Sequence, residues 1–303
     1  MKIQRRLNVS IIIPTFNGRD LLAKNLPYIG KILASNAADE VIIVDDGSCD
    51  DSAKFVKENY PTFRIIRHKV NRGFLAAVNT GVRSSRGEFS VLLNNDVHPD
   101  INFLKKVYPF IKSRNDIFAV SFHEKGYGWA GGRMEDGFIV HTAGSEGKVP
   151  HTSFYANAGG AIYRRAVWIE IGGMDEHVYS PYYWDDIDLS YRALKRGYEI
   201  YWHPDAYVSP NLSATIGKLP GTKVSRIQER NQLLFIWKNI TSANLFRKHL
   251  IGLSKRVAKH PGYFVIFLMA ISKLGVVLKQ RKKEKKEAKV SDEAILSKFA
   301  DLK

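Results

Sequence analysis

The sequence predicts an α/β fold organised around a doubly wound, mostly parallel sheet, and two observations carry that expectation. Continuous apolar, β-branched runs recur at residues 9–13, 40–44, 63–66, 89–93 and 117–122. Between them lie segments with apolar residues at helical spacing, the first built on Leu21, Leu22, Leu26, Ile29, Ile32 and Leu33. Strands without a polar face, alternating with helices at this pace, belong to parallel βα units covered on both sides.

Taken in order, the first strand is stopped by Pro14, and helices are expected near residues 50–59, 74–83 and 101–111. From 123 to 155 the alternation fails and seven glycines intervene, which reads as a long mobile excursion of the lid type. Order resumes at 157–163, then a helix near 166–171, a Gly172-Gly173 turn and the run Tyr182-Tyr-Trp-Asp-Asp-Ile-Asp188. The helix that follows carries Ile187, Tyr191 and Leu194 on one face and stops before Gly197.

The single cysteine, Cys49, excludes an intrachain disulfide and a thiolate metal cluster. A reducing compartment suits such a chain, and the apolar stretch behind the basic N-terminus is too short for a signal peptide. Lys and Arg number 46 against 30 acids, a net +16. The last 63 residues hold 15 bases and 5 acids, so +10 of that charge sits at one end. Such a balance suits a polyanionic partner: nucleic acid, an anionic membrane or phosphorylated substrates.

In open α/β sheets ligands sit beyond the carboxyl ends of the strands. The polar residues there are Thr15, Phe16 and Asn17 after the first strand, Asp45 to Ser48 after the second, and Asn94, Asn95 and Asp96 after the fourth. Neither G-x-G-x-x-G after the first strand nor G-x-x-x-x-G-K-[ST] is present, which argues against a dinucleotide dehydrogenase and a P-loop NTPase. An Asp at the second strand end can accept an imide N–H or a ribose hydroxyl, or simply cap a turn. Gly73 permits close backbone approach, and Arg72 offers a planar fork to a base or phosphate. A hard divalent ion takes carboxylate and phosphate oxygens, which makes Asp96 a candidate ligand. Asp185 and Asp186 at a helix N-terminus behind three aromatics suit a base whose ionisation is tuned by desolvation.

Pro14-Thr-Phe-Asn17, Val44-Asp-Asp-Gly-Ser48, Asn71 to Gly81, Leu92-Leu-Asn-Asn-Asp96, Gly159-Gly160 and Trp184 to Arg192 stand in one order within residues 8–240. Together they resemble the motif set of the family 2 inverting glycosyltransferases of GT-A fold, in particular its rhamnosyltransferase-like branch. The resemblance implies nucleotide binding by Thr15, Phe16, Asn17, Asp46, Arg72, Gly73, Asn94 and Asn95, with Asp46 on the base. It implies a divalent metal, Mg2+ or Mn2+, at Asp96, sugar contacts at Gly159, Gly160, Trp184 and Asp185, and Asp186 as the catalytic base. Asn94 replaces the family's first acid, and Ser209-Pro210-Asn211 stands where relatives carry a metal-binding His. His203 is off that position, and a packed role is expected for it. Arg230-Asn231 resembles the family's post-catalytic pair, with a surface salt bridge expected for Arg230.

Residues 1–240 are thus expected to form the transferase domain and 241–303 a basic helical tail. Residues 262–278 are nearly free of charge but short for a spanning helix, and 279–289 hold seven bases in eleven residues. A polybasic segment beside an apolar helix suits an anionic membrane surface. The expected function is transfer from a UDP- or dTDP-sugar to a saccharide or lipid-linked acceptor, at the cytoplasmic face of the cell membrane and without nucleic acid. The alternatives are a non-catalytic sugar-binding scaffold, suggested by Asn94, and a basic nucleic-acid-binding protein.

Overall fold

The computed structural model describes residues 8–35, 38–210 and 221–300. The chain enters through β1 (Val9–Thr15), α1 (Arg19–Ala34), β2 (Glu40–Asp45), α2 (Ser52–Asn59), β3 (Arg64–Arg67), α3 (Phe74–Ser84) and β4 (Phe89–Leu93). The four strands lie parallel in the order β3-β2-β1-β4, with Ile12 beside Ile42 and Leu92. All seven β1 residues are buried. Ile11 and Ile13 join one core under α1, while Ile12 joins a second core on the opposite face. Alternate side chains of a strand point to opposite faces, so an unbroken apolar run is what two covered faces require.

The chain continues through β5 (Val97–Pro99), α4 (Phe103–Ser113), β6 (Ile117–Glu124), β7 (Ala130–Glu135), β8 (Phe138–Ala143), β9 (His151–Thr152) and β10 (Gly160–Arg164). Next come α5 (Arg165–Ile171), α6 (Glu176–Tyr179), α7 (Asp185–Lys195) and β11 (Glu199–Pro210). β10 inserts antiparallel between β4 and β6, and β11 runs parallel to β6. The sheet is therefore mixed at this side. The reversed β10 carries its first residues to the carboxyl end of β4, next to the strand-end loops.

The expected mobile excursion at 123–155 is instead an ordered hairpin, β7 against β8, with Phe138 and Ile139 buried. Its glycines serve packing: a side chain at Gly132 would collide with the Phe154 ring, and Gly137 turns with φ +83° against the backbone of Lys248.

Five helices close the fold: α8 (Gly221–Asn239), α9 (Ala243–Lys259), α10 (Tyr263–Ile271), α11 (Leu274–Glu287) and α12 (Asp292–Phe299). Ile266, Val277, Ile295 and Phe299 share one core with Leu189 and Phe235. Ion pairs add to it: Lys195 lies 3.0 Å from Asp292 and Arg196 2.7 Å from Glu284, all four buried. The polybasic segment is thus docked along one side, with Arg281 donating to the Trp237 carbonyl. No single described helix is long and apolar enough to cross a membrane, and α10 and α11 meet at a 69° bend.

Asp292 also accepts the Tyr191 hydroxyl at 2.9 Å and the amides of Thr241 and Ser242. Removing one partner of a buried pair strands the other charge at a cost of about 3–5 kcal/mol. Asp292→Ala is therefore expected to destabilise the whole chain by about 3 kcal/mol, read as a lowered midpoint in urea denaturation. An unchanged midpoint would mean that α12 contributes nothing to the fold of the sheet.

Candidate active site

The strand ends are joined by a continuous set of hydrogen bonds. Asn95 Nδ2 donates to Thr15 Oγ1 at 3.0 Å, and the Asn17 amide donates to Ser48 Oγ at 2.9 Å while its own side chain accepts from the Cys49 amide. Asn17 takes φ 49°, a conformation that Asn tolerates better than most residues. Phe16 stands exposed between these loops. The expected nucleotide-binding residues of the first two strand ends are thus brought together.

Asp46 is buried. Its Oδ1 accepts the Arg72 amide at 2.9 Å and faces His68 Nδ1 at 2.6 Å, and its Oδ2 accepts the Gly73 amide at 2.7 Å. Asp46 therefore holds the 71–73 loop in place and keeps one lone pair on Oδ2 for a ligand. His68, further fixed by Thr80 Oγ1 at 3.0 Å, carries no signal in the sequence. The Arg72 side chain reaches Glu176 at 3.4 Å and is half exposed.

The third strand end bends into β10. The Asn94 amide donates to the Gly159 carbonyl at 3.0 Å, and a side chain at Gly159 would collide with the Asn94 amide group. Asp96 is half-buried, and burial raises its carboxyl above the usual range. Glu124 at the end of β6 is raised by burial and then by the Asp96 charge, so the two carboxyls lie near one another. Glu124 escapes sequence reasoning because its proximity depends on the β5-β11-β6 edge, where Val208 pairs with both Glu124 and Pro99. His203 packs edge-on against Phe110 and is buried, as expected for a core residue. Asn211 lies outside the described residues.

Asp186 is the second residue of α7 and accepts the backbone amide of Ala158, one residue before Gly159. Burial raises its carboxyl to about 6. Asp185 is raised to about 8, by burial first and then by the Asp186 charge. Two such coupled carboxyls share one proton near neutral pH. Tyr155 and Tyr163 flank them: both phenols are raised by burial, then by the Asp186 charge. Trp184 and Asp185 are buried behind Asp186, with Trp184 between His141 and Phe235. In this conformation they pack beside Asp186, which is the more accessible of the two acids.

The third acid has a different environment. Asp188 is fully buried, and although burial would raise it, the Arg192 and Lys238 charges hold it at about 2.

Residues 10–172 match the family model for glycosyl transferase family 2, more than half of the chain. The chain belongs to glycosyl transferase family 2. Among relatives of this chain, an uncharacterised Bacillus subtilis glycosyltransferase, YwdF, is 28% identical over 239 residues, covering 75% of this chain and 85% of that protein. A dolichol-phosphate mannosyltransferase of Pyrococcus furiosus is 30% identical over 123 residues, 40% of this chain and 34% of that protein. The chain thus spans about a third of that relative's length. A mannosyltransferase of Pyrobaculum calidifontis, solved with GDP-Man and Mn2+, shares the fold with a TM-score of 0.56 at 18% identity, covering 99% of this chain and 81% of that one.

The loop before Asp186 is backbone-strained. Tyr183 and Trp184 have φ 72° and 69°, a left-handed pair that bulky side chains rarely adopt. Asn231 of α8, fully buried, directs its amide at the carbonyls of Tyr179, Tyr182 and Tyr183, at 2.9–3.1 Å. Arg230 donates to the Ser180 carbonyl and to Asn231 Oδ1. The surface salt bridge expected of Arg230 is replaced by an inward clamp, because its guanidinium is drawn to the carbonyls of the strained turn. Asn231→Ala is expected to lower kcat about 10- to 100-fold with a smaller change in KM, since a displacement of about 1 Å at a reacting group costs that much. Wild-type kcat in that variant would show that the loop holds its shape unaided.

Proposed function

We propose that this transferase moves a hexosyl or deoxyhexosyl residue from a UDP- or dTDP-sugar to a hydroxyl of a saccharide acceptor, inverting the anomeric carbon. The single observation that carries the reading is Asp186, a partly accessible carboxyl raised to about 6 and held by Ala158 beside the nucleotide loops. A base of that strength is ionised at neutral pH yet strong enough to take a proton in the transition state. The acceptor O–H bond breaks toward Asp186 while the oxygen forms its bond to the anomeric carbon. The bond to the donor's diphosphate oxygen breaks in the same step, and its electron pair leaves with the nucleoside diphosphate. Attack from the side opposite the leaving group inverts the centre.

Thr15, Phe16, Asn17, Arg72, Gly73, Asn94 and Asn95 would surround the nucleotide, and the free lone pair on Asp46 Oδ2 suits the imide N–H of uracil or thymine. Gly159 and Gly160 would face the donor sugar: Gly159 lets the Asn94 amide group pack directly on its backbone, and the neighbouring Ala158 amide reaches Asp186. Asp96, with Glu124 beside it, fits Mg2+ or Mn2+: both carboxyls are raised by burial, and the charge of His98 opposes that rise only at Asp96. No set of three ligands forms there among the described residues, so diphosphate oxygens would complete the shell. Such an ion supplies neutralisation of the leaving group's charge. On this proposal the acceptor is a lipid-linked or cell-surface glycan precursor, and the protein works at the inner face of the cell membrane. The Pyrococcus relative named for dolichol phosphate and the exposed apolar α10 support that placement.

Two tests follow from these roles. Asp186→Asn is expected to reduce kcat about 10^3-fold while donor binding by calorimetry stays intact. In the wild type kcat/KM rises with pH through about 6 and levels above it, because the base works only when ionised; a flat profile, or transfer retained by the variant, would remove Asp186 from the role. Asp96→Ala is expected to abolish the extra thermal stabilisation that Mn2+ and UDP give together, whatever the activity. Equal shifts in both proteins would place the metal elsewhere.

A further inference from the structure

A groove of about 1000 Å3 lies between α9, the β7–β8 hairpin and α12, away from the base. Lys248, Lys255 and Lys259 line it from one face of α9, spaced seven and four residues apart. All three are exposed, and none has an ion pair among the described residues. The other charges of the groove are already engaged. Arg256 stacks 3.3 Å over the Phe138 ring, Arg133 pairs with Glu135 at 2.6 Å, and Glu293 accepts the Ser242 hydroxyl. Asp136 is the remaining acid, so the groove keeps a surplus of ammonium groups.

His260 lines the groove at the point where the chain turns into α10. α10 carries no charged residue, and Phe264, Val265, Leu268 and Ile271 are each 39–51% exposed. Their spacing puts them on one side of the helix, opposite the buried Tyr263, Ile266 and Ala270. A contiguous apolar face of this kind marks an interaction site.

The geometry points to this groove as a headgroup site for an anionic phospholipid, with the exposed side of α10 lying in the membrane interface next to it. This rests on the membrane reading above and gives it a location. Ammonium groups recognise phosphate by charge-assisted hydrogen bonds, and bases at a membrane surface add to the partition of a neighbouring apolar helix. Nucleic acid would satisfy the lysines but gives no burial to four large apolar side chains, since such interfaces are polar. The same hairpin also reaches the base. Its Phe138 end lines the groove, whereas His141, about 10 Å further along β8 by the rise of a strand, packs against Trp184 and Tyr155. The β7–β8 hairpin thus links the groove to the residues packed around Asp186.

The test uses the full chain in flotation with vesicles of phosphatidylcholine, with or without phosphatidylglycerol, across a salt series. Wild type is expected to float with the anionic vesicles, less so as salt rises. Lys248→Glu/Lys255→Glu/Lys259→Glu is expected to weaken partition about 100-fold, near five-fold for each lysine. Lys24→Glu/Lys54→Glu/Lys57→Glu has the same net charge on exposed positions of α1 and α2 and should float like wild type. Equal flotation of the two triple variants would overturn the groove while leaving the membrane reading intact. Failure of the wild type to float with either vesicle would overturn both, and a duplex DNA mobility shift abolished by the groove variant, without flotation, would reassign the groove to nucleic acid. Circular dichroism melts of both variants establish that the loss is not unfolding.

Discussion

The arrangement turns on a buried cluster around Asp188. Its carboxylate takes Arg192 at 2.8 Å, Lys238 at 3.0 Å, the Tyr179 hydroxyl at 2.8 Å and the Asn239 amide at 2.8 Å. Lys238 extends the cluster to Asp175 at 2.8 Å, and Arg192 donates to the carbonyls of Ile171 and Gly173. Three helices, α6, α7 and α8, meet there. Every lone pair and ammonium proton with a partner is a constraint on where the next residues can lie, because leaving one unpaired in this interior is costly. The strained turn that presents Asp186 is bounded by this cluster on one side and by Asn231 on the other.

Two acids two residues apart on one helix therefore differ by about four pH units in opposite directions from the same origin. Asp188 is surrounded by cations and held at about 2, whereas Asp186 faces tyrosines and backbone and is raised to about 6. Asp188 is a depressed acid, so its contribution to stability is present above the ordinary aspartate range and fades as pH falls toward 2. Acid strength here is set by neighbours, not by the helix N-terminus that all three acids share.

The basic C-terminal region changes meaning in the same way. As a string of residues it reads as a basic helical tail, but α11 and α12 bury Glu284 and Asp292 against Arg196 and Lys195 at the end of α7. What remains for a partner is a subset: the free lysines of α9 and the exposed side of α10. Some of the 46 bases are thus engaged inside the fold, and the net charge of +16 is carried by those without an acidic partner.

The alternation of apolar strands and helices through residue 122, the strand-end polar residues and the Asp185-Asp186 pair were legible in the sequence because each rests on local periodicity or on residues adjacent in the chain. The 123–155 region was misread as mobile because its glycines are required by Phe154 and Lys248, neighbours distant in sequence. His68 against Asp46, Glu124 beside Asp96, the reversed β10 and the Arg230–Asn231 clamp depend on non-local pairing. The sequence by itself determined which elements form and which side chains stand at strand ends. Only the tertiary structure decided which acid is desolvated, which is neutralised and which lysines stay free, because charge and burial are properties of neighbours that the fold brings together.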